Sequence, residues 1–221
     1  MTLDPAKSRI YETLAFMAKS ASSPGRIELI ELLAQGPKTV ENLTTATGMG
    51  FANTSAHLKV LKQARLVSTV KSGTSVFYSL AGPDVVDLLF VLRNLSVKYL
   101  AEFDQITTNY IGDISKIDTI DKNTLLEHLN DPKIMIIDVR PYEEYEAGHL
   151  PGSRSIPITE FDQRIAEIPR DVKVVAYCRG PYCAFSPQAV RILTSRGYQG
   201  AMLEDGFPEW LRHGLPVAKG A

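Results

Sequence analysis

The chain has 221 residues, of which 44% are hydrophobic and 22% charged, and its formal net charge is −1. These values are typical of an ordinary globular protein of one large or two ordinary domains, and the charge argues neither for nor against nucleic acid as a partner. The apolar runs are too short to span a membrane, and the start Met1-Thr2-Leu3-Asp4-Pro5 lacks the pattern of a signal peptide. Two cysteines five positions apart do not form a secreted disulfide framework, so we expect a cytoplasmic protein with reduced thiols and no membrane partner.

Helical spacing of apolar residues predicts several short helices before a hairpin. Proline suits the first turn of a helix at Pro24, and Thr39 is a candidate N-cap. The predicted helices cover residues 7–20, 24 to the break at 36–37, 39 to the break at 48–50, and 51–64. Residues 66–70 and 75–80 then flank a turn at 71–74, which is a hairpin pattern. This order predicts a winged helix-turn-helix, mainly α with a β-wing.

Three motifs in this region occur in the order found in one family of bacterial repressors. They are Pro24-Gly25-Arg26, then Ser55-Ala56-His57-Leu58-Lys59-Val60-Leu61, then Ala64-Arg65-Leu66-Val67. Residues 22–90 thereby resemble the ArsR family. The resemblance implies that the second helix of the motif enters the major groove of a double-stranded DNA operator and that the wing lies along the backbone. It also implies a homodimer, because the terminal helices of that family pair across a two-fold axis.

The predicted DNA contacts divide into base-reading and phosphate-contacting residues. Short polar side chains on the second helix are best placed near base edges, and lysines on that helix and the wing form a stripe for phosphates. His57 either contacts DNA or caps and packs inside the motif, and the sequence leaves both open. The full predicted set is Asn53, Thr54, Ser55, His57, Lys59, Lys62 and Lys71.

The segment from Asp84 to Phe103 reads as one helix with an apolar stripe. The stripe comprises Val85, Leu88, Leu92, Leu95, Tyr99 and Phe103. A core face would explain such spacing, but a small winged domain has too little core to hide this helix, so we favour a dimer interface. Residues 38–48 lack Cys and residues 84–103 lack His, and Asp84 with Asp87 is a poor site for a thiophilic or transition metal. We therefore expect no metal site and no cofactor.

Polar residues at 104–118 predict the boundary between two domains, which we place at 1–108 and 115–221. In the second domain, Ile134–Val139, Val174–Tyr177 and Ala201–Leu203 read as buried strands separated by helical segments. Short strands alternating with helices predict an α/β domain with a mainly parallel sheet.

Both cysteines of the chain lie in one loop of this domain. The strand Val174–Tyr177 stops at Cys178, a tight Gly180-Pro181 loop follows, and a helix opens near Ser186 after Cys183. Such a loop aims backbone N–H groups and the positive helix end at whatever it holds. A thiol there should have a lowered pKa and be a better nucleophile.

This half of the chain resembles the rhodanese family. The motifs are Asp138-Val139-Arg140, Gly148-His149-Leu150-Pro151-Gly152, Tyr177-Cys178-Arg179 and Gly206-Phe207-Pro208-Glu209-Trp210. The resemblance implies that Cys178 accepts sulfane sulfur as a persulfide, with possible sulfurtransferase activity, from polysulfide, thiosulfate or a persulfide carrier. His149 and Trp210 should support the fold. The predicted catalytic set is Cys178, Arg179, Gly180, Tyr182 and Cys183.

Cys183 has two readings, since it could reach Cys178 or its persulfide, or pack under the helix as a small apolar group. A phosphatase on the same fold would need an arginine six positions after Cys178, where this chain has Ala184.

Two functions from different classes remain. In the first, the protein is a repressor, and a persulfide on Cys178, which Cys183 resolves, lowers its affinity for DNA. In the second, it is a sulfurtransferase that the winged domain tethers to DNA. The dimeric DNA-binding half and the second thiol favour the repressor.

Overall fold

The computed structural model describes residues 4–220, which form two compact units. The first unit ends at Leu92 and the second begins at Arg93. This junction lies earlier in the chain than the polar stretch at which the sequence predicts a boundary. The predicted limits 1–108 and 115–221 remain a prediction about which segments fold independently.

Four helices precede the hairpin in the first unit, and local sequence signals set their ends. Pro24 occupies the first turn of its helix, Thr39 accepts a hydrogen bond from the Asn42 backbone in a capping box, and Gly48 ends a helix at φ 69°. All three fit the predicted breaks. The helices are α1 (Pro5–Ala21), α2 (Pro24–Leu33), α3 (Val40–Thr47) and α4 (Phe51–Gln63).

The wing is a two-stranded antiparallel hairpin of β1 (Val67–Ser72) and β2 (Ser75–Leu80). Gly73 has a φ of 59° in the connecting turn, a conformation that glycine adopts without strain. The predicted winged helix-turn-helix is therefore confirmed.

Apolar side chains from α2, α3 and α4 form the core of this unit. Leu29, Leu43, Leu58 and Leu61 are fully buried there. Burial of each such side chain contributes about 1.5–3 kcal/mol relative to exposure, so these four contacts hold the helix-turn-helix together.

The helix predicted from Asp84 to Phe103 is two helices. Helix α5 covers Asp84–Tyr99, and α6 covers Glu102–Ile111. Leu100 and Ala101 separate them, although neither residue is a helix breaker. Val85 and Leu89 of α5 are buried in the core of the first unit.

A five-stranded sheet organises the second unit, in the order β3-β7-β6-β4-β5. Every neighbouring pair is parallel, so the predicted α/β domain is confirmed. The strands are β3 (Thr119–Ile120), β4 (Ile134–Asp138), β5 (Arg154–Ser155), β6 (Lys173–Tyr177) and β7 (Gln199–Leu203). The helices are α7 (Lys122–Glu127), α8 (Tyr142–Ala147), α9 (Phe161–Arg164), α10 (Phe185–Ser195) and α11 (Phe207–Arg212).

Alternate residues of the central strands point to opposite faces of the sheet. Ile137 and Ala176 join one apolar cluster, whereas Ile136 and Val175 join another. Helices cover both faces, and the carboxyl ends of all the strands meet at one edge.

A buried ionic network fixes this edge. Arg140 Nη2 donates to Asp138 Oδ2 at 2.6 Å and to the Gly148 carbonyl at 2.7 Å, and Tyr177 Oη donates to the same Asp138 oxygen at 2.6 Å. These hydrogen bonds join the ends of β4 and β6, and β6 leads directly into the cysteine loop. The Asp138-Val139-Arg140 motif therefore fixes the end of β6, from which the cysteine loop begins.

Candidate functional site

The cysteines lie in the loop between β6 and α10, at the carboxyl edge of the sheet. Cys178 follows β6 directly and is only 3% exposed. Its Sγ lies 3.8 Å from the Gly180 carbonyl oxygen and 3.7 Å from the Cys183 carbonyl oxygen. The loop thus curls around the sulfur atom.

Neighbouring groups make Cys178 more acidic than an ordinary thiol. Burial alone would raise its pKa, because a charge is costly away from water. Hydrogen bonds from the Cys183 and Ser186 side chains, together with backbone N–H groups of Gly180 and Ser186, outweigh burial and lower the pKa. Ser186 Oγ is buried and makes no hydrogen bond of good geometry to the described residues, which leaves it available to the sulfur. The lowered pKa predicted at a helix start is the direction found.

Cys183 contacts Cys178 through its backbone, since its carbonyl oxygen lies 3.7 Å from the Cys178 Sγ atom. Its interaction with Cys178 raises the Cys183 pKa well above the usual range, and burial adds to the effect. Both thiols are free, and Cys183 also packs against the apolar cluster that contains Cys178. The two readings of Cys183 are therefore compatible: it lies within reach of Cys178 and it packs under the helix.

Two other predicted catalytic residues point to protein groups rather than to the thiol. Arg179 makes two hydrogen bonds to Glu144, of 2.9 and 2.7 Å. The Tyr182 ring lies 5.5 Å from the Phe103 ring, edge to face, and the Arg93 guanidinium lies 4.8 Å from its centre. Both side chains therefore hold the loop in place, whereas the Arg179 backbone N–H faces the Cys183 thiol and opposes the rise of its pKa.

The loop is packed tightly against the segment before α11. Gly180 forms part of the cradle, and a Cβ on Gly206 would overlap its backbone Cα and N atoms. The buried Glu209 carboxylate lies beside Gly180, accepts a hydrogen bond of 3.0 Å from the Gly206 backbone, and pairs with Arg93 at 2.7 Å. Burial raises the Glu209 pKa, although Arg93 opposes this shift.

Sequence reasoning missed four residues of this site: Arg93, Glu144, Ser186 and Glu209. Ser186 could have been found, since it lies in the first turn of the helix that follows the loop. Glu209 lies within the motif that runs from Gly206 to Trp210. Arg93 carries no local signal, because its partner Glu209 is 116 residues away.

In the first unit, α4 presents only part of the predicted base-reading set. Asn53 is exposed and Ser55 is partly exposed, but Thr54 is fully buried and its hydroxyl donates to the Gly50 carbonyl at 3.2 Å. The prediction that Thr54 reads a base edge is therefore wrong, because its side chain belongs to the core.

The predicted lysines lie on the surface of this unit. Lys59 and Lys71 are exposed, and exposed Lys62 donates to Thr69 Oγ1 at 2.9 Å, which joins α4 to β1. Their contacts with phosphates stay a prediction.

The histidines and the tryptophan have structural surroundings. His57 Nδ1 lies 3.5 Å from Arg26 Nη1, which favours the packing interpretation over a DNA contact. His149 stacks on Tyr145 with ring centres 3.7 Å apart, and Trp210 is fully buried. These contacts support the fold roles predicted for His149 and Trp210.

Within residues 4–220, no group of three or more His, Cys, Asp and Glu side chains is arranged to hold a metal ion. None of the helices in this range is both long and apolar enough to cross a membrane.

Comparisons with known proteins match each half separately and the whole chain together. Residues 23–69 match the family described as bacterial regulatory protein, arsR family, and residues 121–213 match the rhodanese-like domain. The HTH-type transcriptional regulator Rv0324 of Mycobacterium tuberculosis is 39% identical over 215 residues, which cover 97% of this chain and 94% of the relative.

Two further relatives match one half each. A sulfurtransferase of Allochromatium vinosum is 35% identical over 103 residues, covering 46% of this chain and 94% of the relative. The solution structure of the homodimeric winged helix-turn-helix domain of Mb0332 from Mycobacterium bovis is 31% identical, with a TM-score of 0.42, and covers 46% of this chain and 94% of that one.

The winged helix-turn-helix, the cysteine loop on a parallel sheet, and the full-length match to Rv0324 agree with one another. The chain belongs to the ArsR-type HTH transcriptional regulators that carry a C-terminal rhodanese-like domain.

Proposed function

We propose that the protein is a repressor that senses reactive sulfur through Cys178 and releases DNA when that residue is modified. The buried Cys178 thiol before α10, with its Sγ 3.7 Å from the carbonyl oxygen of the second cysteine, Cys183, is the observation that carries this proposal. A lowered pKa supplies the thiolate, which is the reactive form of cysteine, and a second thiol lies within reach of the product. A cysteine with a purely structural role would need neither a lowered pKa nor a second thiol nearby.

The first step is the transfer of one sulfur atom. The Cys178 thiolate attacks the terminal sulfur of a donor R–S–SH, a new S–S bond forms at Sγ, and the donor S–S bond breaks. The products are the persulfide Cys178–S–SH and the thiolate R–S⁻. Backbone N–H groups of Gly180 and Ser186 that favour the Cys178 thiolate would also stabilise charge on the added sulfur.

The second step uses Cys183. Its sulfur attacks the Cys178 Sγ atom, the persulfide bond breaks, and a Cys178–Cys183 disulfide forms. The leaving HS⁻ takes the Cys183 proton and departs as H₂S, so the donor sulfur accounts for the oxidation of both thiols. Disulfide geometry fixes the Cβ separation narrowly, so the loop rearranges when the two sulfurs join.

For the DNA-binding half, we infer a homodimer built on α1 and α5. Ile10, Leu14 and Met17 of α1 are exposed, and so are Leu92, Leu95 and Tyr99 of α5. Stripes of large apolar side chains at helical spacing mark interaction sites when they face water. A chain that sediments as a monomer at micromolar concentration and still binds its operator normally would rule out the dimer.

One experiment tests the sensing function. Fluorescence anisotropy measures the affinity of the full chain for the DNA upstream of its own gene, before and after polysulfide and again after a thiol reductant. Coupling between sites is typically about 1–3 kcal/mol, so affinity should fall about 5- to 150-fold and then recover. Cys178→Ser should bind DNA like the reduced wild type and ignore polysulfide, and Cys183→Ser should load sulfur but respond less.

The second candidate function is a sulfurtransferase tethered to DNA. It is favoured by the match between the second unit and a sulfurtransferase of Allochromatium vinosum. Equal DNA affinities of treated and untreated wild type, combined with turnover of a sulfur donor, would support it over the repressor.

A further inference from the structure

The arginines around the cysteine loop are each neutralised by a carboxylate. Arg179 pairs with Glu144 at 2.7 Å, and Arg93 pairs with Glu209 at 2.7 Å. Arg140, beneath the loop, is fully buried and pairs with Asp138. A doubly charged donor such as thiosulfate would therefore have to compete with a carboxylate for each of these cations, which makes its binding here unfavourable.

A cleft of about 330 Å³ lies at the carboxyl ends of β4 and β5, and Phe185 at the start of α10 forms part of its wall. Its walls include Val139, Ile158 and Phe185, which also pack in the apolar cluster that contains Cys178. Phe185 is the first residue of α10, and the hydroxyl and backbone N–H of the next residue, Ser186, act on the Cys178 sulfur. The cleft therefore adjoins the helix start that holds the thiol.

The charged side chains that line the cleft, among the described residues, are both acidic. Glu143 comes from α8, and Glu160 comes from the segment after β5. Glu160 also pairs with Arg164 at 3.3 Å, and Arg164 in turn pairs with Glu167. Tyr142, Ile158 and Phe185 complete an apolar lining that suits a hydrocarbon group.

We propose that this cleft admits the sulfur donor and selects organic persulfides whose organic group is neutral or cationic, over anionic persulfides and thiosulfate. The proposal rests on the sulfur-sensing function above and names its substrate class. The organic group lies against the apolar wall, while the two glutamates attract a cation and repel an anion. The Cys178 thiolate takes the terminal sulfur, and the organic thiolate leaves through the same cleft.

The test compares donors that share one chemistry and differ in charge. Persulfides of 2-mercaptoethylamine, 2-mercaptoethanol and 3-mercaptopropionate carry a cationic, a neutral and an anionic group, and thiosulfate is the fourth donor. Mass spectrometry follows sulfur addition to Cys178 in the full-length Cys183→Ser variant, where the persulfide accumulates. The cationic donor should load at least roughly three-fold faster than the anionic one, thiosulfate should be slowest, and added salt should reduce the difference.

Glutamine variants test the cleft itself. Replacement of both Glu143→Gln and Glu160→Gln should abolish most of the preference between cationic and anionic donors. Glu146→Gln, on the same helix but outside the cleft, should leave the preference intact. A preference that survives the double replacement overturns the cleft as the route.

The results distinguish a failure of the charge selectivity from a failure of the sulfur-sensing function. If all four donors load Cys178 at equal rates, the charge selectivity is wrong and the sensing function stands. If no donor loads Cys178 while the protein is folded, the sensing function itself fails.

Discussion

At the scale of single residues, the chemistry of Cys178 depends on two side chains that act on one sulfur atom. Cys183 and Ser186 lower its pKa, and burial opposes them. The position of Cys178 was predictable, because a buried strand, a tight loop and a helix start are all local patterns. The orientation of the Ser186 hydroxyl was not, since it depends on how the loop folds back on the helix.

Ser186→Ala should raise the pKa of Cys178, because it removes one of the hydrogen bonds that favour the thiolate. The fold lowers this pKa, so the resulting stabilisation is present above the ordinary thiol pKa and is lost as pH falls through the lowered value. The variant should therefore lose stability mainly at alkaline pH. The ultraviolet absorbance of the thiolate, measured against pH in a Cys183→Ser background, reports the midpoint.

Ser195→Ala is the matched control for this measurement. Ser195 lies at the other end of α10, is exposed, and donates to the Ile192 carbonyl. An unchanged midpoint in Ser186→Ala would show that the Ser186 hydroxyl does not contribute to the acidity of Cys178.

At the scale of elements, the cysteine loop is held from two sides. The buried Asp138–Arg140 pair fixes the strand ends beneath it, and the segment before α11 lies against Gly180. Phe207 N also donates to the Cys178 carbonyl at 3.0 Å, which binds this segment to the loop directly. The close approach explains why a glycine precedes α11.

Gly206→Ala should therefore displace the loop, because the new methyl group would overlap the Gly180 backbone. Overpacking of this kind typically costs about 1–3 kcal/mol, and here backbone rather than a flexible side chain must move. Thermal unfolding should show the loss of stability, and sulfur loading at Cys178 should slow. Gly50→Ala, at a position with open space and an ordinary φ of −65°, should leave sulfur loading unchanged. Wild-type loading in Gly206→Ala would show that the loop tolerates the displacement.

Several element-scale features were open to prediction and others were not. The hairpin, the cap at Thr39 and the parallel strands follow from turn residues and apolar runs. The burial of Thr54 was also predictable, since it shares a helical face with Leu58 and Leu61. The break between α5 and α6 was not, because Leu100 and Ala101 are good helix formers and only tertiary contacts could interrupt the helix there.

At the scale of the whole molecule, sensing requires that the sulfur site and the DNA-binding half share a structural element. Helix α5 is a candidate, because Val85 and Leu89 belong to the core of the first unit while Arg93, one turn later, pairs with Glu209 and covers the Tyr182 ring. The Arg93–Glu209 pair was invisible in the sequence, since the two residues are 116 positions apart.

Tyr182→Ala should uncouple sulfur loading from DNA release. Tyr182 precedes Cys183, so a Cys178–Cys183 disulfide must move its backbone, and its ring transmits that movement to Arg93 and Phe103. Without the ring, sulfur should still load on Cys178, but the change in DNA affinity on polysulfide treatment should fall to less than about three-fold. Mass spectrometry measures the loading, and fluorescence anisotropy measures the affinity in the same samples.

Tyr182→Phe distinguishes transmission through the ring from a general disturbance of the loop. It keeps the contacts with Arg93 and Phe103 and should respond to polysulfide like the wild type. Modification changes DNA affinity only if the two forms of the loop favour different arrangements of α5, so the effect must disappear when the contact is removed. A full polysulfide response in Tyr182→Ala would place the connection elsewhere, and loss of sulfur loading in that variant would show instead that Tyr182 shapes the thiol site.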